Sequence, residues 1–252
     1  MKKLHFKYNK LTNLAVITLL FSLFFACKNE KDLKAESIIT MSVLAHGGEA
    51  YKNLNFSFDF RKYHISIKQN EPNFIYQRAT NDSLNHRIVD ILSNKDFKRE
   101  IDGVTQQLSK KDESRFREAT NSIAYFVLLP YKLMDAAVNL EYIETIAIEG
   151  QNYDKIKVWF DKEGGGKDHD DIFCYWINQK THTLDYLAYD NGGPRFRKAI
   201  KREKVNGILL QDYENYEIAD TLADTFDYDK IFIAGKAKLL SKIEQTNYQV
   251  KH

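Results

Sequence analysis

Three regimes of apolar spacing divide the chain. Residues 14–26 form an apolar run broken only by Thr18 and Ser22, preceded by Lys2, Lys3, Lys7 and Lys10 and followed by Cys27 and the polar Lys28-Asn29-Glu30-Lys31-Asp32. A membrane-spanning helix needs about 20 apolar residues, whereas an export signal has an apolar core of about 7–15. The run is therefore read as a signal segment. Over residues 32–45 the spacing becomes helical, with Ala35, Ile38, Ile39, Val43 and Leu44 on one stripe, and His46-Gly47-Gly48 supplies the glycine that ends such helices. From Asn55 the period falls to two. Phe56, Phe58 and Phe60 share one face and Tyr63, Ile65 and Ile67 the opposite parity, so a bulge near Arg61 is expected between them.

Further strands are predicted over 74–79, 87–92 and 95–101, with Asp102-Gly103 turning the last into 104–108. One helix interrupts them over 112–129, its apolar side formed by Phe116, Ala119, Ile123, Phe126 and Val127. Pro130 stops it, and a second short helix is expected over 131–138. Turn signals then recur at Gly150, Gly165, Gln179, Gly192 and Asn206, which reads as a meander of long strands, with Asn206-Gly207 the clearest hairpin. The fold class is α+β: an extended, curved antiparallel sheet, a half-open barrel, with two or three helices in its concave face. The domain plan is a leader over 1–26, a lipidated tether over 27–33 and a single domain over 34–252.

Residues 172–177 and 184–189 are apolar on both parities, so this sheet needs a cover on each face. The helices are expected to cover the concave face, and whatever they leave unfilled would be an apolar cavity suited to an acyl chain. A concavity wholly filled by the helices, giving a purely structural protein, is the alternative.

Composition and charge narrow the class. With 11 Gly and 3 Pro in 252 residues, the chain is neither collagen-like nor linker-rich. The formal charge is +2, but four of the 37 basic residues lie in the leader and none of the 35 acidic ones does. The remainder carries 33 against 35, a net −2, so there is no electrostatic case for nucleic acid. Cys174 has no disulfide partner if Cys27 is acylated, and its apolar surroundings read as a buried core position.

Candidate chemistry is sparse. The loop over 161–171 concentrates acids, and Asp168, Asp170 and Asp171 are weak candidates for a hard cation, although their spacing fits no calcium loop. Arg195 and Arg197 share a parity and could clamp a phosphate or carboxylate head, joined by Arg61 and Arg78. Tyr125, Phe126, Trp176, Tyr186 and Tyr189 complete the expected ligand-binding set. No H-E-x-x-H, G-x-S-x-G, P-loop or dinucleotide-binding glycine pattern occurs, so no catalytic residue and no cofactor is assigned. An envelope hydrolase or lyase built from the 168–171 or 195–197 region stays open.

Ala26 before Cys27 resembles the lipobox of bacterial lipoproteins, with Phe24 where that signal usually has Leu. The resemblance implies acylation of Cys27, a membrane anchor at the outer membrane and passage through lipoprotein export machinery. Other motifs are His46-Gly47-Gly48-Glu49, Phe58-Asp59-Phe60-Arg61, residues 121–126 with Leu129-Pro130, 164–168 leading to Tyr175-Trp176-Ile177, and 185–189 leading to 192–197. In this order they resemble a family of uncharacterised Bacteroidota lipoproteins. That family is similar in predicted fold to the LolA and LolB lipoprotein-sorting carriers, whose half-open barrel holds acyl chains. Some of its members carry the label deoxyribose-phosphate aldolase; the run of hairpins argues against that enzyme's βα barrel and Schiff-base lysine.

Overall fold

A computed structural model describes residues 29–166 and 170–251. The leader, Cys27 and Asp168 lie outside the described residues. Helix α1 (Glu30–His46) begins within the segment read as a tether. Asn29 caps it by accepting the Lys31 N–H at 3.3 Å, and Glu30 and Asp32 occupy the first turn, where the helix dipole favours acids. Gly47 ends it at φ 140°, a conformation side chains rarely adopt. A Cβ at Gly47 would lie 2.9 Å from the Gly207 carbonyl oxygen and the Ile208 Cα, so glycine lets the helix end touch that turn.

The first sheet contains β1 (Asn53–Phe60), β2 (Tyr63–Asn70), β3 (Asn73–Asn81), β4 (Arg87–Ser93), β5 (Phe97–Ile101) and β6 (Val104–Thr105). The second contains β7 (Val138–Ile148), β8 (Gln151–Phe160), β9 (Phe173–Asn178), β10 (Leu184–Tyr189), β11 (Arg195–Val205), β12 (Ile208–Glu217) and β13 (Lys238–Ile243). β14 (Gln245–Val250) returns to pair with β1, so each sheet has seven strands, in the orders β14-β1-β2-β3-β4-β5-β6 and β13-β12-β11-β10-β9-β8-β7. Only Glu244 separates β13 from β14. One segment therefore crosses from the edge of one sheet to the edge of the other, while β6 and β7 remain the outer edges. The wall is an open, curved one, divided into two sheets at Glu244. All the described pairings are antiparallel, which a βα barrel cannot accommodate.

Several junctions differ from expectation. Phe60 pairs with Tyr63 across Arg61-Lys62, so the change of parity is a tight hairpin turn, with Arg61 at φ 54°, and not a bulge. Helix α2 (Lys110–Val127) is capped by Ser109, which accepts the Asp112 N–H at 3.1 Å and donates to the Asp112 carboxylate at 2.9 Å. After Pro130 there is a single 3₁₀ turn, Tyr131–Met134, and Val138 already belongs to β7, so the helix expected over 131–138 is much shorter. A third helix, α3 (Tyr228–Ile233), lies in a C-terminal stretch that carries no strong periodicity.

Helices α1 and α2 lie in the concave face, α1 against β7, β9 and β12 and α2 against β3, β4 and β5. Phe56, Phe58, Ile65, Ile67, Ile156, Val158 and Leu187 pack with them in the main core. A second core lies on the outer face of the second sheet. There Tyr153, Cys174, Trp176, Tyr186 and Phe196 are covered by Ile218, Phe226, Tyr228 and Phe232. The two-sided greasiness of β9 and β10 is thus met by two covers, the inner helices and the segment around α3.

Candidate ligand-binding cavity

His46 joins the helical layer to the second sheet. Its Nε2 accepts the Leu184 N–H at 3.1 Å, which leaves the proton on Nδ1, and Nδ1 donates to the Leu209 carbonyl at 3.3 Å. The ring is fully buried, and burial pulls its pKa from 6.5 down to about 4, with nearby Arg202 acting in the same direction. It is a neutral structural histidine.

The end of α2 and the second sheet do not meet completely. They leave a cavity of about 490 Å³. Tyr125, Phe126 and Leu129 border it from the end of α2, and Phe160, Phe173, Tyr175, Leu187 and Tyr189 border it from the sheet. Alternation decides which residues arrive. On β9, Phe173 and Tyr175 face inward while Cys174 and Trp176 face outward; on β10, Leu187 and Tyr189 face inward while Tyr186 and Ala188 face outward. Exposed Asn121 and Ser122 sit at the rim on α2, with Gly164, Gly165 and Gly166 from the β8–β9 loop.

Among the described residues three charged side chains line the cavity: Lys132, Asp135 and Arg197. Lys132 and Asp135 pair with each other at 3.1 Å. Arg197 has no carboxylate partner among the described residues. Its Nη2 donates to the Tyr189 hydroxyl, its guanidinium carbon stands 4.7 Å from the Phe126 ring centroid and 4.9 Å from that of Tyr189, and its buried Nε–H has no hydrogen-bond partner. Burial holds Arg197 below the usual guanidinium range, and burial pushes the phenols of Tyr125 and Tyr175 upward.

The expected site residues separate accordingly. Tyr125, Phe126, Tyr189 and Arg197 come together at the cavity. Trp176 and Tyr186 are on the opposite face of the sheet: the Trp176 indole donates to Asp229 at 2.9 Å and the Tyr186 hydroxyl to Glu149 at 3.0 Å. Arg78 does not join Arg197, because it is committed with Arg99 to the buried carboxylate of Asp90, each at 2.6 Å. Arg61 lies at the β1–β2 turn, beside a separate polar cleft with Asp59, Lys62 and His64. Arg195 shares the parity of Arg197, but its Nη1 donates to the Pro194 carbonyl at 2.8 Å and it does not line the cavity. At the 161–171 loop, Asp171 accepts from the Asn191 amide, and no group of three or more His, Cys, Asp or Glu side chains among the described residues could hold a metal ion.

Lys155 was not singled out by sequence. It is buried on the outer face, 2.8 Å from the buried Asp229 and 3.1 Å from Glu144. Burial lowers the Lys155 pKa, but its bond to Asp229 and the attraction between the two charges outweigh this, and the net shift is upward. In sequence it looks like an ordinary solvent-facing lysine of an alternating strand, since nothing local signals the C-terminal segment that covers it.

In fold the chain is similar to a protein of the LolA superfamily. A LolA-superfamily protein from Nitrosomonas europaea superposes with a TM-score of 0.51 at 9% identity, over 86% of this chain and 94% of that one. A DUF1329-family protein from Desulfovibrio piger (7% identity, 86% and 92% covered, TM-score 0.40) and the Mycobacterium tuberculosis lipoprotein LppX (14%, 71% and 94%, 0.31) are more distant. By sequence, residues 14–245 match the model of a family of unknown function, DUF6503, and the chain belongs to that family. No curated protein matches it.

Proposed function

We propose that this protein is a cell-envelope lipoprotein, anchored in the outer membrane by acyl chains on Cys27, that binds a lipid or other amphiphile in the cavity between α2 and the second sheet without catalysing a reaction. The cavity carries the reading: about 490 Å³, with Phe and Tyr rings in its walls and a small set of polar side chains, Arg197 among them. The LolA-superfamily likeness in fold supports it, as does the lipoprotein resemblance of the leader. Among the described residues no helix is long and apolar enough to cross a membrane, and the proposed attachment is through Cys27. Two or three acyl chains, at about 0.8 kcal/mol per buried methylene, are enough for a stable anchor. Only Lys28 and Asn29 separate Cys27 from helix α1, which would hold the domain close to the bilayer.

The test is to produce the chain with Cys27→Ala and identify what it retains by native mass spectrometry. A co-purifying amphiphile, or saturable uptake of a fluorescent fatty acid, is the expected result. Absence of both would overturn the proposal.

A further inference from the structure

Among the described residues the charge lining the cavity is not balanced. Lys132 and Asp135 neutralise each other, and Arg197 is left as an unmatched positive charge against aromatic walls. Three other arginines of the two sheets are neutralised by a carboxylate. Arg78 and Arg99 share the Asp90 carboxylate, and Arg202 pairs with Asp185. Arg197 instead rests between Phe126 of α2 and Tyr189 of β10, its Nη2 engaged by the Tyr189 hydroxyl and its Nε–H unused. The two ring centroids stand 4.7 and 4.9 Å from the guanidinium carbon, and of its donors only Nη2 has an acceptor among the described residues. A buried N–H without a partner is costly, and an unpaired buried charge more so. Such a group is stabilised when an oxyacid supplies the missing charge and acceptors, which a guanidinium fork binds through parallel N–H donors.

We infer that the ligand is an amphiphile whose head carries a single negative charge, and that Arg197 is the residue that recognises this head, while the rings of Phe160, Phe173 and Tyr175 receive the hydrocarbon. The inference rests on the proposed amphiphile-binding function and specifies its ligand. A fatty carboxylate and a phosphodiester lipid share the required chemistry. A neutral ester or alcohol lacks it.

The experiment titrates the full chain with cis-parinaric acid and with its methyl ester, following probe fluorescence, in the wild type, R197Q and R197K. A hydrogen-bonded charge pair is worth enough that the wild type should bind the acid about 10- to 100-fold tighter than the ester. R197Q should bring the two affinities together by weakening the acid alone. An unchanged acid-to-ester ratio in R197Q overturns the role of Arg197 while leaving the cavity's function intact. Failure of the wild type to bind either probe overturns the function itself. Should R197Q not fold, judged by circular dichroism, R197K keeps the stem and charge but not the fork; it should lower the ratio, and an unchanged ratio there overturns the inference too. Displacement of the bound acid by palmitate or by lysophosphatidylglycerol distinguishes the source: the stronger competitor names the head, and equal displacement by neutral monopalmitoylglycerol refutes the anionic one.

Discussion

Acidification should loosen this protein through His46. In the folded chain its two ring nitrogens are occupied by Leu184 and Leu209, and the buried imidazole takes up a proton only near pH 4. In the unfolded chain the same ring protonates near pH 6.5. Between these values the unfolded state binds more protons than the folded one, so unfolding free energy falls as pH falls. The His46 contribution is complete above about pH 6.5. It declines by about 1 kcal/mol at pH 6, about 2 at pH 5 and about 3 at pH 4. The measurement is urea unfolding of the wild type and of His46→Gln, followed by tryptophan fluorescence, at pH values from about 7.5 down to about 4.5. Because the other ionisable groups are common to both proteins, the difference between the two profiles isolates His46. The wild type should lead His46→Gln at pH 7.5 and lose about 2 kcal/mol of that lead by pH 5. Parallel profiles, or a lead that grows as pH falls, would refute a buried neutral His46.

Three further outcomes follow from the same structure. Asp229→Ala leaves the buried Lys155 ammonium with only the half-exposed Glu144 and strands the Trp176 indole N–H, and should cost about 3 kcal/mol in urea unfolding; a loss below about 1 kcal/mol would mean that the pair is not desolvated. Ser122→Trp places a large ring at the cavity rim on an exposed helical position, and should reduce fatty-acid uptake severalfold with little change in melting temperature. Uptake equal to wild type would place the ligand elsewhere. Growing cells fed alkyne-palmitate should label the wild-type chain and not Cys27→Ala, and an unlabelled wild type would remove the lipid anchor.

Local patterns were enough for the α+β class and for most turns. Asp102-Gly103, Glu149-Gly150 and Asn206-Gly207 each place both residues at positive φ, the turn geometry that a two-residue hairpin favours. Helix α1 was legible from Ala35, Ile39 and Val43, and α2 from its stripe and Pro130. What no local pattern contained was the assignment of faces. On β9 and β10 both parities are apolar, so Tyr189 and Tyr186 look equivalent in sequence. They are separated only because the inner helices cover one side and the segment around α3 the other, and α3 reaches its place through Asp229, Lys155 and Trp176, residues far apart along the chain. The arginines make the same point. Arg78 and Arg197 are alike as letters in alternating strands, but Asp90 on the neighbouring strand neutralises the first, and folding brings no described carboxylate to the second. Secondary structure follows from interactions within a few residues, and the chain displays those directly. Which charge is left unpaired at a cavity depends on distant partners, and only the packed tertiary structure brings those partners together.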